Sequence, residues 1–424
     1  MARQVCRPRN DREIMHLSTT LDLDVVAHEA DDRVTLLLDL VAPAAAPAPG
    51  GAPPARRAVQ VVLDRSGSMS GDRLEAALDA IRALVVRLDP QDAFGLVAFD
   101  DEVSIDVPAG PLTDKAAVLA RIASILPGGM TNLSGGYLRG LQEAERATQD
   151  GAATLLLLSD GHANRGVVEH EALATLGATG RKKNITTSTI GIGLDYDESL
   201  MAAVATGGAG DTEFAEGADD AGAALARLVD GLLEGVAQAA TLIIRPTGDV
   251  DSVRLFNDLP AAPVDGGIMV ELGDFVAGEE RKLLLELDVP AMAALGLAQV
   301  AELELRWVEL PSLTTHVVTL PVHVNVVPGD QAAGRIPDPK VRSELAFQNA
   351  QRAKREATEA LRRGDHRLAS LRYGEAAAAL PPEHADEAAV LHDLAMRADH
   401  DDPRRTAKHA QADWQRKNRG RRPR

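Results

Sequence analysis

The chain has 424 residues, 45% hydrophobic, 25% charged and 3% aromatic, with a formal net charge of -18. That length fits roughly two to four domains, and that apolar share excludes a wholly disordered chain. The single cysteine, Cys6, excludes a disulfide framework or a cysteine-based zinc site within one chain and favours a reducing compartment.

No stretch reaches the ~18 apolar residues of a membrane span. Met1 to Arg12 is charged and has no apolar centre of the kind a secretory signal needs. The expectation is a soluble cytoplasmic protein with a disordered leader over 1–16. Met15 is an alternative start, because patterned sequence begins near Leu17.

In residues 17–41, Leu21, Leu23 and Val25 share one face, and Val34, Leu36, Leu38 and Leu40 share another. The Glu29–Asp32 turn between them predicts a β-hairpin. Two strands cannot hold a core alone, so they must pair elsewhere. Residues 42–56 are rich in Pro and Ala and read as a flexible linker.

From 57 to 238 strand and helix patterns alternate. Val59 to Leu63 is a short apolar run that reads as a buried strand, and it ends sharply at Asp64-Arg65-Ser66-Gly67-Ser68. Leu74 to Leu88 has helical spacing, Ala93 to Phe99 and Val103 to Val107 read as strands, and Lys115 to Leu126 is a helix with Thr113 as its cap. A Gly-rich loop, Gly128 to Ser134, feeds a helix over Gly135 to Ala147. Thr154 to Leu158 is a second wholly apolar strand, ending in Ser159-Asp160-Gly161. A helix near 168–177, a strand over Ile185 to Ile190, a helix near 197–205, a strand around Phe214 and a helix over Ala221 to Val236 complete the unit. This alternation predicts an α/β fold with a doubly wound, mostly parallel, Rossmann-like sheet.

Residues 239–330 are strand-rich with Pro and Gly turns and predict an all-β sandwich, which the hairpin at 17–41 completes. The α/β unit at 57–238 is then an insertion in, or is flanked by, that sandwich. Residues 331–400 predict a C-terminal helical hairpin segment, punctuated by Gly364-Asp365 and Pro381-Pro382. The last stretch, 401–424, carries nine Lys or Arg from Arg404 onward against Asp413 alone, a local charge of +8. It reads as a disordered basic tail, with folding back onto the acidic body as the alternative to contact with nucleic acid or anionic lipid.

The chemistry concentrates after the two apolar strands. In open parallel sheets the carboxyl ends of the strands form the ligand-binding edge. Asp64, Ser66 and Ser68 sit there on one loop, and their hard oxygen ligands suit Mg²⁺ or Mn²⁺ better than Zn²⁺. Thr131 in the Gly-rich loop and Asp160 after the second apolar strand bring two more such groups to the same edge. The plainer reading of the first loop alone is an ordinary N-cap turn; three segments in order favour a metal site.

The pattern Asp64-x-Ser66-x-Ser68, followed by Thr131 and Asp160, resembles the metal-ion-dependent adhesion site of von Willebrand factor A (VWA) domains. The resemblance covers about 180 residues. It implies direct metal ligation by Ser66 and Ser68, direct or water-mediated ligation by Thr131, and a largely water-mediated role for Asp64 and Asp160. It implies Mg²⁺, with Mn²⁺ or Ca²⁺ as alternatives. Mg²⁺ takes about six oxygens, and neutral hydroxyls leave its charge under-compensated, so an open position attracts a carboxylate from a partner protein. The reading is a non-enzymatic, metal-dependent protein-binding module.

Other features compete. Gly67-Ser68-Met69-Ser70-Gly71 matches G-x-S-x-G, the nucleophile elbow of serine hydrolases, with Asp160 and His162 following in order. An Asp and a His two residues apart do not ordinarily make a triad, and that reading leaves Asp64, Ser66 and Thr131 idle. A serine hydrolase using Ser70 is the remote alternative. His162 and Asn164 are candidates for the rim where a partner docks, against plain solvated loop residues. Asp100-Asp101-Glu102 reads as an acidic surface turn, Arg363-Gly364-Asp365 as a chance match to an integrin-ligand tripeptide, and Trp307 and Trp414 as packing residues.

Two further stretches extend the resemblance. Gly273 to Arg281 looks like the β-rich segment after the VWA domain in plant RING-finger VWA proteins and bacterial VWA proteins of the same build, and Gln348 to Leu380 resembles their helical tail. Inter-alpha-trypsin inhibitor heavy chains share a looser version of the layout. This sequence carries no Cys/His RING, so ubiquitin-ligase activity is not implied. VWA proteins also serve beside MoxR-type AAA+ ATPases, which makes an accessory subunit of a chelatase-like machine the alternative function. The chain has no G-x-x-x-x-G-K-[ST] loop and is not itself a P-loop NTPase.

Overall fold

The computed structural model of the protein describes residues 4–5, 15–44, 58–148, 152–194, 196–216, 220, 222–225, 228, 231, 234–247, 250, 252–310, 314–400 and 402–418. Most of the expected leader at 1–16 and of the linker at 42–56 lies outside the described residues. Gln4–Val5 (β1) pairs antiparallel with His16–Leu21 (β2), which pairs antiparallel with Asp32–Val41 (β4) from Leu17↔Leu40 to Leu21↔Leu36.

The expected hairpin at 17–41 differs in one respect. Val25 does not continue the face of Leu21. It begins a separate strand, Val25–Ala27 (β3), which joins the other sheet. The cause is local: the Asp22 carboxylate accepts from the N–H groups of Leu23 and Thr35, both at 2.7 Å, and that turn ends β2.

The α/β unit follows in chain order: Ala58–Asp64 (β5), Asp72–Arg87 (α1), Ala93–Phe99 (β6), Val103–Pro111 (β7), Lys115–Ala123 (α2), Leu133–Thr148 (α3), Ala153–Ser159 (β8), His170–Arg181 (α4), Ile185–Ile192 (β9), Glu198–Gly207 (α5) and Ala209–Ala215 (β10). The sheet order is β10-β9-β8-β5-β6-β7, parallel except for β7 against β6. Strand β5 lies at the centre, buried on both sides, which is why it reads as an unbroken apolar run. Val59, Val61 and Leu63 pack with α1, while Val62 packs with α3. The cap of α2 is Asp114, whose carboxylate accepts from Ala117 N–H at 2.9 Å, and not Thr113. Residues 220, 222–225, 228 and 231 are helical, but Gly235 and Val236 already belong to the next strand, so the expected helix over Ala221 to Val236 ends sooner.

A glycine sets the height of α3 over the sheet. A Cβ on Gly140 would lie 2.2 Å from Cγ2 of Val62. Only a bare backbone lets α3 come down this far, and α3 carries the loop of Thr131 at its start.

The remaining strands are Gly235–Pro246 (β11), Ser252–Leu255 (β12), Ala261–Val264 (β13), Gly267–Val276 (β14), Glu280–Val289 (β15), Gly296–Glu309 (β16) and Thr315–Val327 (β17). They form two sheets, β1-β2-β4-β15-β12 and β13-β14-β11-β16-β17-β3. Leu36, Leu38, Leu283 and Leu285 of the first face Leu242, Leu272, Leu303 and Val324 of the second. The pairing of β4 with β15, from Asp32↔Val289 to Val41↔Glu280, joins chain from before and after the α/β unit.

Among the described residues the α-helices after the sheets are Gly329–Ala332 (α6), Pro339–Arg362 (α7), His366–Ala378 (α8), Ala385–His400 (α9) and Pro403–Asn418 (α10). Val341 of α7 packs on Leu37 and Leu284, the outer face of the first sheet. Asp365 is the cap of α8, its carboxylate accepting from Leu368 N–H at 3.0 Å, and Gly364 supplies the positive φ of 83° that the turn before it needs.

Helix α10 corrects the expectation of a disordered tail at 401–424. Its cations meet carboxylates from distant parts of the chain: Lys417 reaches Glu387, and Arg405 lies 2.9 Å from Glu216. Thr406, Ala407, Ala410 and Trp414 are buried beneath it. Local charge repulsion is thus relieved by tertiary contacts, and the segment orders. Residues 419–424 lie outside the described residues. No described helix is long and apolar enough to cross a membrane.

Candidate metal centre

The carboxyl ends of β5 and β8 bring Asp64, the last residue of β5, and Asp160, the first residue after β8, to one edge of the sheet, both fully buried. The Asp64 carboxylate is held at both oxygens. Oδ1 accepts from Ser66 N–H at 2.8 Å, and Oδ2 accepts from the Ser159 hydroxyl at 2.5 Å. Burial pushes the Asp64 carboxyl up to about 6, against the opposing hydrogen bonds from Ser159 and Ser66, and the neighbouring Asp160 charge pushes the same way as burial.

The first loop folds back over this pair. Ser66 and Ser68 present their hydroxyl oxygens 3.1 Å apart, with Ser66 buried and Ser68 exposed. The Gly-rich loop is stitched to it by Gly67 N–H to Gly129 C=O at 2.9 Å and Gly128 N–H to Arg65 C=O at 2.7 Å. Close approach is again a matter of bare backbone. A Cβ on Gly128 would lie 1.6 Å from Asp100 Oδ2, and Asp100 is the ion-pair partner of Arg65 at 3.3 Å.

Thr131 is buried between the second and third loops. Its N–H donates to Asn164 Oδ1 at 2.8 Å, and its C=O accepts from the N–H groups of Asn164 and Arg165 at 3.2 and 3.1 Å. Asn164 therefore couples the Thr131 loop to the Asp160 loop rather than serving only as a rim residue. Asp160 Oδ1 accepts from His162 N–H at 3.3 Å. Its Oδ2 is buried without a hydrogen-bond partner, and Arg73 Nη1 stands 3.9 Å away.

Asp64, Ser66, Ser68, Thr131 and Asp160 thus lie on three mutually bonded loops at one edge of the sheet. Among the described residues no group of three or more His, Cys, Asp or Glu is placed to hold a metal ion. A centre at this edge would be built from two carboxylates and three hydroxyls, a donor set for a small hard cation. Asp160 Oδ2 has no hydrogen-bond donor and only the Arg73 guanidinium, 3.9 Å away, as a positive neighbour, so a cation placed closer fits it.

Residues 59–227 match the family model of the von Willebrand factor type A domain. The α/β unit is a VWA domain. The whole chain is similar in fold to a von Willebrand factor type A protein from Catenulispora acidiphila, with a TM-score of 0.72 and 15% identity over 93% of this chain and 91% of that one. In sequence it is 26% identical over 277 residues to the uncharacterized protein sll0103 of Synechocystis, covering 63% of this chain and 65% of that protein. It is 28% identical over 246 residues to the E3 ubiquitin-protein ligase WAV3 of Arabidopsis thaliana, covering 55% of this chain and 31% of that protein. The chain spans less than two thirds of the length of these curated relatives.

Within the VWA domain, the hydrolase elements do not assemble. Among the described residues neither the Ser70 hydroxyl nor the His162 ring makes a hydrogen bond, and both residues are exposed. Three residues around the site carry no sequence signal. In sequence Ser159 is only the polar end of an apolar strand, and Arg73 and Asp197 belong to no motif. The structure gives each a place: Ser159 on Asp64, Arg73 beside Asp160 Oδ2, and Asp197 N–H on the Asp160 carbonyl at 3.3 Å.

Proposed function

We propose that the VWA domain binds a divalent metal ion through Asp64, Ser66, Ser68, Thr131 and Asp160, and that the ion captures an acidic residue of a partner protein. The observation that carries this is the buried Oδ2 of Asp160, which no hydrogen-bond donor reaches, at the same edge as the paired hydroxyls of Ser66 and Ser68. Two buried carboxylates side by side repel one another and are costly to ionise. A divalent cation reverses that balance. Mg²⁺ is the favoured ion, with Mn²⁺ and Ca²⁺ as alternatives, since a donor set dominated by neutral hydroxyls suits hard cations that retain water.

The metal supplies a concentrated positive charge for a carboxylate to bind. The protein's residues do the rest: Ser159 and Ser66 N–H fix Asp64, Asn164 fixes the Thr131 loop, and the Gly128–Gly129 turn brings that loop against the first. Nothing in this arrangement pairs a nucleophile with a base, so the function proposed is binding rather than catalysis.

Capture of a partner by the immobilised full chain, compared in Mg²⁺, in EDTA and with Asp64→Ala, tests the reading. Capture should require both the metal and Asp64. Equal capture in EDTA by the wild type would sink it.

A further inference from the structure

A single peptide unit joins helix α10 to the metal edge. Between β9 and α5, the Tyr196–Asp197 peptide is held on both sides. Its carbonyl accepts a hydrogen bond from Lys408 Nζ of α10 at 2.8 Å, and its N–H donates to the Asp160 carbonyl at 3.3 Å. Lys408 and Asp160 are thus connected through one rigid plane, since a peptide bond resists rotation. Helix α10 lies outside the VWA domain, so this contact reaches the domain from another part of the chain.

Both ends of the link are packed. Lys408 is 6% exposed, and its Nζ also stands 3.4 Å from Oε1 of Glu198, the first residue of α5. Arg362 of α7 donates to Oε2 of the same carboxylate. Tyr196 is buried and stacks on Phe214 of β10, with ring centroids 5.4 Å apart. On the metal side, Gly161 follows Asp160 with φ 70°, and a Cβ there would lie 3.0 Å from Asp197 N and 3.2 Å from Asp197 O. The backbone that carries the Asp160 carboxylate therefore rests directly on Asp197, and a shift of the Tyr196–Asp197 peptide moves it. The lysine charge also polarises the peptide it touches, which strengthens the N–H bond on the far side.

We propose that Lys408 is a positioning residue of the metal centre, acting on Asp160 through the Tyr196–Asp197 peptide. The inference rests on the metal reading of this edge and adds its regulation: metal affinity depends on the seating of Lys408, and so on a helix outside the VWA domain. The dependence runs both ways, because coupling between two equilibria is reciprocal. An ion that fixes Asp160 also tightens the turn of α10 that carries Lys408.

Calorimetric titration of the full chain with Mg²⁺ tests it, beside thermal melts in EDTA. Lys408→Met keeps most of the stem and removes the donor. It should weaken Mg²⁺ binding about three- to tenfold, the size of effect that residues remote from a ligand exert on its affinity. Glu198→Gln removes the ion pairs with Arg362 and Lys408 but not the Lys408 bond to the Tyr196 carbonyl, and should bind Mg²⁺ like the wild type. A Lys408→Met protein that melts lower yet binds Mg²⁺ like the wild type would make Lys408 purely structural, overturning the inference and leaving the metal reading standing. An equal loss of affinity in Glu198→Gln would overturn the route through the peptide. No Mg²⁺ binding by the wild type would overturn the metal reading and the coupling with it. Should Lys408→Met fail to fold, the wild type decides by amide hydrogen exchange. Mg²⁺ should slow exchange around Lys408 in α10 about three- to tenfold more than in α9, and equal slowing in the two helices would overturn the coupling.

Discussion

The hydroxyl of Ser159 donates a 2.5 Å hydrogen bond to Oδ2 of Asp64, joining residues 95 apart in sequence at the ends of adjacent parallel strands. Both are fully buried. Ser66 N–H holds the other oxygen, so the orientation of Asp64 depends in part on a serine outside the motif it belongs to.

Ser159→Ala leaves that oxygen buried without its donor. The expected cost is about 1–3 kcal/mol of domain stability. A partner that orients a metal ligand contributes on the order of tenfold to affinity, so Mg²⁺ affinity should fall by about that factor. Thermal melts in EDTA isolate the first effect, and calorimetric titration with Mg²⁺ the second. An unchanged Mg²⁺ affinity with a lowered melting temperature would make Ser159 purely structural.

Gly140→Ala tests the height of α3. The added Cβ would lie 2.2 Å from Val62 Cγ2, and valine has little rotamer freedom with which to withdraw. Overpacking of this kind costs about 1–3 kcal/mol. Adding Val62→Ala should recover part of that loss, and this non-additivity is the signature of a direct clash. Denaturant unfolding of the two single variants and the double variant closes the cycle. Additive losses would place the effect of Gly140 elsewhere.

The legible parts were those whose pattern is local. Val59 to Leu63 and Thr154 to Leu158 are apolar runs long enough to mark buried strands, and the polar residues that stop them mark the binding edge. That placed Asp64 and Asp160 at one edge, with the Gly-rich loop supplying Thr131, and the α/β architecture follows from the alternation of elements. Features that depend on partners far along the chain were not legible. Ser159 looks like any strand end, because its acceptor lies 95 residues away. Strand β3 is three residues long, too short for any period to show that it changes sheets. The segment containing α10 reads as disordered because its own charges repel. The carboxylates that neutralise them, Glu216 and Glu387, lie 189 and 30 residues from Arg405 and Lys417.

Lys354 shows how strongly α10 is held. It is fully buried in α7, with Nζ 3.0 Å from Glu387 of α9 and in contact with Asp413 of α10. Removing the cation leaves two carboxylates in a desolvated site with Lys417 alone to balance them. Lys354→Met should therefore destabilise the helical segment by about 3–5 kcal/mol. Adding Glu387→Gln, Asp413→Asn and Lys417→Met to Lys354→Met should regain much of that, since it removes every charge of the cluster, Lys417 included. Melting temperatures of the two proteins make the comparison. A quadruple variant as unstable as Lys354→Met would mean that packing by the lysine stem, not charge, is what matters.

The same cluster sets a pH dependence for the docking of α10. Burial alone would raise the Asp413 carboxyl, but the charges of Lys354 and Lys417, the latter 2.9 Å away, outweigh it and hold the group below its ordinary value of 3.8. A carboxyl depressed in the folded state contributes stability above its unfolded value and loses it as the pH falls through the folded one. Docking of α10 by this cluster should therefore be intact from neutral pH down to about 4 and should weaken only below that. Trp414, buried on α10 one residue from Asp413, reports the event through its fluorescence. Trp307 sits in the sandwich core, so a Trp307→Phe background isolates the signal. In that background the Trp414 emission should stay constant between pH 7 and 4.5 and shift to the red below pH 4, while Asp413→Asn should remove the acid-dependent step. A red shift already complete at pH 5 would show that the carboxyl is not depressed and that the lysines do not hold it.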